Sequence, residues 1–156
     1  MPEFETIDRI EIQATPESLF DTILDYPRMH EWYPRYRVRV QGGGEVAEGA
    51  RLDHELAAKG SPVRSRFVRT IHKIDRPTSI EETYDGGDLV GKGRWSFEPL
   101  GNGATRVSFW CHVHSNTWLM HLGFLLAGER GHNQVYQDLL AALKARHESR
   151  STGGEK

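Results

Sequence analysis

The chain has 156 residues, 37% of them hydrophobic, with 20 basic against 22 acidic side chains and a formal net charge of −2. That length suits one domain with its own core, the balanced charge gives no nucleic-acid footprint, and a single cysteine excludes an internal disulfide. The first thirty residues hold no signal-like apolar stretch, and the longest apolar run, 118–127, is broken by His121 and too short to span a bilayer. The expectation is a cytoplasmic protein without stable membrane insertion.

In chain order, Ile10, Ile12 and Ala14 alternate with Glu11 and Gln13 as a half-buried strand. Ile7 falls out of phase, which fits a bulge or a late start. Thr15-Pro16-Glu17 starts a helix, with Thr as N-cap and Pro at the first helical position, and Leu19, Phe20, Ile23 and Leu24 form its apolar side. Asp25-Tyr26-Pro27 stops it, and a second short helix ends near Trp32-Tyr33-Pro34. Strands are expected at 36–46, 51–58, 63–74, 79–84, 89–99 and 104–115, divided by Gly42-Gly43-Gly44, Asp75-Arg76-Pro77, Asp85-Gly86-Gly87-Asp88 and Gly101-Asn102-Gly103. A helical region over about 117–147 closes the domain, 1–148, and a polar tail, 149–156, is expected to be disordered.

The pattern predicts an α+β fold: a curved seven-stranded antiparallel sheet around a long C-terminal helix, with two short helices after the first strand. Particular stretches carry a resemblance that spans nearly the whole chain. They are Ala14-Thr15-Pro16-Glu17-Ser18-Leu19-Phe20, Asp25-Tyr26-Pro27 leading to Trp32-Tyr33-Pro34, Gly91 to Phe97 with Thr105-Arg106-Val107, and Leu139-Leu140-Ala141-Ala142-Leu143-Lys144. Their order resembles the SRPBCC superfamily. This is the helix-grip fold of START lipid-transfer domains, the birch-pollen-allergen group and the polyketide cyclase/dehydrase group. The resemblance implies a fold and leaves the chemistry open, because carriers, enzymes and regulators share it.

Directly paired residues share a face, so the hairpins propagate one phase from strand to strand. With Trp95 and Phe97 facing in, Val107, Phe109, Cys111 and Val113 follow. So do Ile80, Glu82 and Tyr84, then Val63, Ser65, Phe67, Arg69 and Ile71, then Leu52, His54 and Leu56, then Tyr36, Val38 and Val40. The polar exceptions in this lining are His54, Ser65, Arg69, Glu82 and Tyr84. Arg69 and Glu82 are diagonal neighbours and should contact each other or a polar ligand atom, because an unpaired buried charge is costly. Gly91 and Gly93 on the inward face suggest a sheet that curves away to leave room for a ligand. On the last helix Leu122, Leu125, Glu129, His132, Tyr136, Leu139 and Leu143 share heptad spacing, with Glu129 and His132 interrupting the stripe.

The expected ligand-binding set is Tyr36, His54, Phe67, Arg69, Glu82, Tyr84, Trp95, Phe109, His132 and Tyr136. The expected occupant is a hydrophobic small molecule such as a lipid, isoprenoid, aromatic or polyketide-like compound. An alternative, implied by the resemblance to aromatase/cyclases, is a cyclase- or dehydratase-like enzyme acting on a polyketide-type substrate in the same cavity, in which Arg69 holds an enolate while Tyr84 or His54 moves protons. A third is a dimeric interaction module built on the apolar stretch 118–126, and the glycine-punctuated segment 118–131 is a candidate lid. The outward pair His112 and His114 lies three strands, about 14 Å, from His72, too far for one coordination sphere, so no metal or other cofactor is expected.

Overall fold

The computed structural model describes residues 3–57, 64–87, 89–115 and 135–149. β1 (Glu3–Ile12) leads into α1 (Pro16–Leu24) and a 3-10 helix (Tyr26–Glu31), followed by β2 (Tyr36–Val40), β3 (Arg51–Ala57), β4 (Arg64–Asp75), β5 (Ser79–Gly87), β6 (Leu89–Gly101) and β7 (Ala104–Ser115). A final helix, α2, covers residues 135–149. All seven strands form one antiparallel sheet in the order β1-β7-β6-β5-β4-β3-β2. The helix-grip architecture is therefore the observed one. Among the described residues, no helix is long and apolar enough to cross a membrane.

Local chemistry accounts for the elements. Thr15 caps α1, its Oγ1 accepting from Ser18 N at 3.2 Å, with Pro16 at the first position. Asn102 and Gly103 both take positive φ (55° and 77°), the left-handed pair that lets β6 return as β7 in a two-residue turn. β2 stops at Val40, short of the expected 46, because Gly42 (φ 80°) turns the chain out of the extended conformation. β5 runs beyond 84, with Gly86 still paired to Leu89. Ile7 needs no bulge: β1 pairs with β7 without interruption and Ile7 lies opposite Trp110 on the outer face, 48% exposed.

The inward phase agrees with the alternation along the sheet: Tyr36, Leu52, His54, Phe67, Arg69, Ile71, Ile80, Glu82, Tyr84, Trp95, Phe97, Val107, Phe109, Cys111 and Val113 are all buried. Ser65 and Leu56 are half-buried, and Val63 lies outside the described residues. The β4–β5 turn is one residue shorter than the turn 75–78 anticipated, since Asp75 pairs with Ser79. A bulge between Ile71 and Lys73 then takes up the difference, so Arg69 faces Tyr84 after all. Tyr136, Leu139, Leu140 and Leu143 of α2 are buried in the same core as α1 and the sheet, at the 3–4 spacing of an amphipathic helix.

The two glycines of β6 do something other than leave room. A Cβ on Gly93 would stand 3.1 Å from Tyr84 Cε1 and 3.2 Å from Phe109 Cζ, so two rings already occupy its place. At Gly91 (φ 151°) a Cβ would collide with the backbone oxygen of His112. Both residues permit close approach, and neither opens a void.

Candidate functional site

The concave face is organised around one guanidinium. Arg69 on β4 is 1% exposed. Its Nη1 donates to Glu82 Oε2 of β5 at 2.9 Å, and its Nη2 donates to the hydroxyls of Tyr84 and Tyr136, each at 2.5 Å. The Tyr26 hydroxyl, from the 3-10 helix, donates to the other Glu82 oxygen. Aromatic rings wall the charge in: the guanidinium carbon lies 4.4 Å from the Tyr84 ring centroid and 5.2 Å from those of Phe67 and Phe109. Phe109 stacks on Tyr136 at 4.4 Å and contacts Trp95 at 4.6 Å.

A hydroxyl chain leads away from this centre. Tyr84 and Tyr136 oxygens are 3.4 Å apart, Tyr136 shares a hydrogen bond with Tyr36, and the Tyr36 hydroxyl lies 2.7 Å from His54 Nδ1. The His54 ring stacks on Phe67 at 5.1 Å, which stacks in turn on Tyr84 at 5.4 Å. Every expected site residue among those described is thus in one connected cluster, from Tyr36 and His54 through Phe67, Arg69, Glu82 and Tyr84 to Trp95, Phe109 and Tyr136. His132, Glu129 and the lid segment 118–131 lie outside the described residues.

Burial dominates the electrostatics. It works against the Arg69 charge, but the surrounding Tyr136, Tyr36 and Tyr84, with Cys111, outweigh it and hold the guanidinium above its ordinary value. Burial raises Glu82 well above the usual carboxylate range. Hydrogen bonds from Arg69 and Tyr26, one to each oxygen, oppose that by satisfying the ionised form. Burial also raises Tyr84 and Tyr136 well above a free phenol, against the pull of Arg69, so both stay neutral hydroxyls. His54 is held well below its ordinary value, first by burial and then by the Arg69 charge, and is a neutral imidazole. Cys111, which donates to the Tyr84 hydroxyl at 3.6 Å, is pushed up to about 11 by burial, an unreactive thiol.

Three buried nitrogens in this cluster find no hydrogen-bond partner among the described residues: Arg69 Nε, Trp95 Nε1 and His54 Nε2. The first two can only donate, and the third donates whenever Tyr36 gives its proton to Nδ1. Native structures pair most of their buried N–H groups, so each of these three calls for a partner such as an ordered water or a bound group. The concave face therefore offers donors for acceptor oxygens inside an aromatic wall.

Two participants were not expected. Tyr26 sits in the Asp25-Tyr26-Pro27 helix stop and reads in the sequence as turn chemistry; only packing carries its hydroxyl to Glu82. Asp8 is 3% exposed and takes a 2.8 Å hydrogen bond from Gln137 Nε2 of α2, while its second oxygen has no partner among the described residues. Burial raises it, against that hydrogen bond. Carrying the Ile12–Ile10 phase back two residues would have found it, but Ile7 pointed to a break in the strand instead.

A family model described as polyketide cyclase/dehydrase and lipid transport matches residues 4–148. No curated protein matches the chain significantly. Among solved structures, TTHA0849 from Thermus thermophilus superposes with a TM-score of 0.77 at 18% identity, covering 95% of this chain and 99% of its own. A START superfamily protein from Mycobacterium smegmatis gives 0.67 at 20% identity, with 93% and 97% covered. Norcoclaurine synthase from Thalictrum flavum gives 0.66 at 10% identity, with 92% of each chain covered. At these identities the likeness is one of fold.

Proposed function

Because the chain belongs to the polyketide cyclase/dehydrase and lipid transport family, we propose that it binds a small, largely apolar molecule bearing acceptor oxygens between the sheet and α2, with Arg69 as its anchor. The observation that carries this reading is the set of donors without a partner among the described residues, Arg69 Nε, Trp95 Nε1 and His54 Nε2, within a wall of aromatic rings. An apolar pocket with a few placed polar groups is how small-molecule sites obtain orientation. A plain hydrocarbon would leave these donors unmet, whereas a carbonyl or carboxylate oxygen would satisfy them.

The test compares pyrenebutyrate, which carries a carboxylate, with unsubstituted pyrene, titrated by fluorescence. The variant is Arg69→Met/Glu82→Leu, which removes the anchor without stranding a charge. Loss of a charged hydrogen bond of about 1.5–3 kcal/mol should weaken pyrenebutyrate roughly 10- to 150-fold and leave pyrene nearly unchanged. Equal affinity of variant and wild type for pyrenebutyrate would overturn the anchoring role.

A second reading, catalysis, is favoured by the hydroxyl chain Tyr84–Tyr136–Tyr36–His54 beside the guanidinium. A β-diketone oxygen held by Arg69 would gain stabilisation as it becomes an enolate, while Tyr84 or neutral His54 moves the proton. Consumption of a model poly-β-ketone by wild type and not by the double variant would support this reading over simple carriage.

A further inference from the structure

The outward side of β2, β3 and β4 carries five arginines. Cross-strand register places Arg37 beside Glu55 and Arg66, Arg39 beside Asp53 and Val68, Arg51 beside Thr70, and Arg64 beside Ala57, all on the convex face. On those stretches Asp53 and Glu55 are the acidic residues that balance them, a local net of +3 in a chain whose total is −2. The guanidiniums stand out from the sheet: the side chains of Arg39, Arg66 and Arg64 are 85%, 76% and 52% exposed. Their ion pairs with Asp53 and Glu55 are surface pairs, which cost little to open. Hydrogen bonding from Arg64, with the charges of Arg64, Arg66 and Arg37, outweighs burial and holds the Glu55 carboxyl below its ordinary value, so the charge balance persists near neutrality.

We propose that this face docks the protein on an anionic lipid bilayer. Protection of a sheet edge explains Arg37 and Arg39 on β2, the last strand of the sheet. Arg51, Arg64 and Arg66 carry the charge onto the two interior strands, at ends where one neighbour alone is paired with them, β4 with Arg51 and β3 with Arg64 and Arg66. A protein partner would be expected to seat an aromatic or aliphatic anchor in the middle of its footprint. The middle here is a depression in which Arg37, Arg39, Asp53, Glu55 and Arg66 surround half-buried Val68, so the side chains around it are mostly charged. Headgroup association needs only cations spread over a surface and within a Debye length of the bilayer, which is what three adjacent strands present. The proposal rests on the carrier reading, since a hydrophobic ligand is taken up from, or delivered to, a membrane.

The test is vesicle flotation at low salt with phosphatidylcholine alone and with an equal mixture of phosphatidylcholine and phosphatidylserine. Wild type should float with the anionic vesicles only, less at roughly physiological ionic strength. Each arginine near the surface is worth about fivefold in partitioning, so Arg37→Gln/Arg39→Gln/Arg66→Gln should lower it on the order of a hundredfold. Arg9→Gln/Lys92→Gln/Arg94→Gln, the same charge change elsewhere on the outer face, should bind nearly as wild type. Absence of flotation, equal losses in both triple variants, or retention by single-stranded DNA or polyglutamate without vesicle binding would each overturn the docking surface. Pyrenebutyrate titration of the same variants separates the two proposals: intact ligand binding without flotation removes the docking surface and leaves the carrier.

Discussion

Replacing Arg69 by Met keeps an unbranched apolar stem and removes the charge from a site that is 1% exposed. The Tyr84 and Tyr136 hydroxyls, already 3.4 Å apart, can pair with each other. Glu82 has no such recourse, because among the described residues only Tyr26 remains to it and its side chain is fully buried. The dominant cost is that stranded carboxylate, about 3–5 kcal/mol. Against a urea slope of about 1–3 kcal/mol per molar, the unfolding midpoint should drop by roughly 2 M, a large part of an ordinary domain's stability.

Two further measurements separate this cause from loss of packing. Arg69→Met/Glu82→Leu should regain most of the loss, since apolar replacement of a whole buried pair is near neutral. The Arg69→Met defect should also shrink on acidification. Burial raises the folded Glu82 pKa above its unfolded value, so with its ion partner gone the variant is favoured below the unfolded carboxylate pKa and loses that advantage as pH rises through the folded one. Urea unfolding followed by tryptophan fluorescence at acid and neutral pH reads all three quantities. A single-variant loss below about 1 kcal/mol, or a double variant no better than the single, would refute the stranded-charge account.

His54 sets an acid limit. Its folded pKa is depressed, first by burial and then by Arg69, so the unfolded chain binds more protons below about 6.5 and stability falls as pH drops, by up to about 1.4 kcal/mol per unit. His54→Gln should flatten that dependence in urea midpoints taken across the same range, and an unchanged slope would reject it. Cys111, buried with its thiol pushed up to about 11, should resist iodoacetamide in native buffer and react only as urea unfolds the chain. Prompt labelling of folded protein would contradict that burial.

Much of this was legible in the residues, for a local reason. Side chains alternate with a period of two, and paired residues share a face, so one anchored hairpin at Trp95 and Val107 carries its phase across the sheet to Tyr36. That suffices to bring Arg69, Glu82, Tyr84 and His54 onto one face and to make Arg69 and Glu82 partners. The phase survived an uncounted bulge at 71–73 only because the turn that follows it, between β4 and β5, was one residue shorter.

Tertiary structure decided what crosses between layers. Tyr26 reaches Glu82 over 56 residues of chain, Tyr136 reaches Arg69 over 67, and Gln137 reaches Asp8 over 129. No alternation or spacing encodes those meetings, because they depend on how α2 and the 3-10 helix seat against the sheet. The same packing placed the rings of Tyr84 and Phe109 under Gly93, where the sequence alone suggested empty space. Periodicity states which way a side chain points; its partner follows only when the whole core has been filled at the density of a solid.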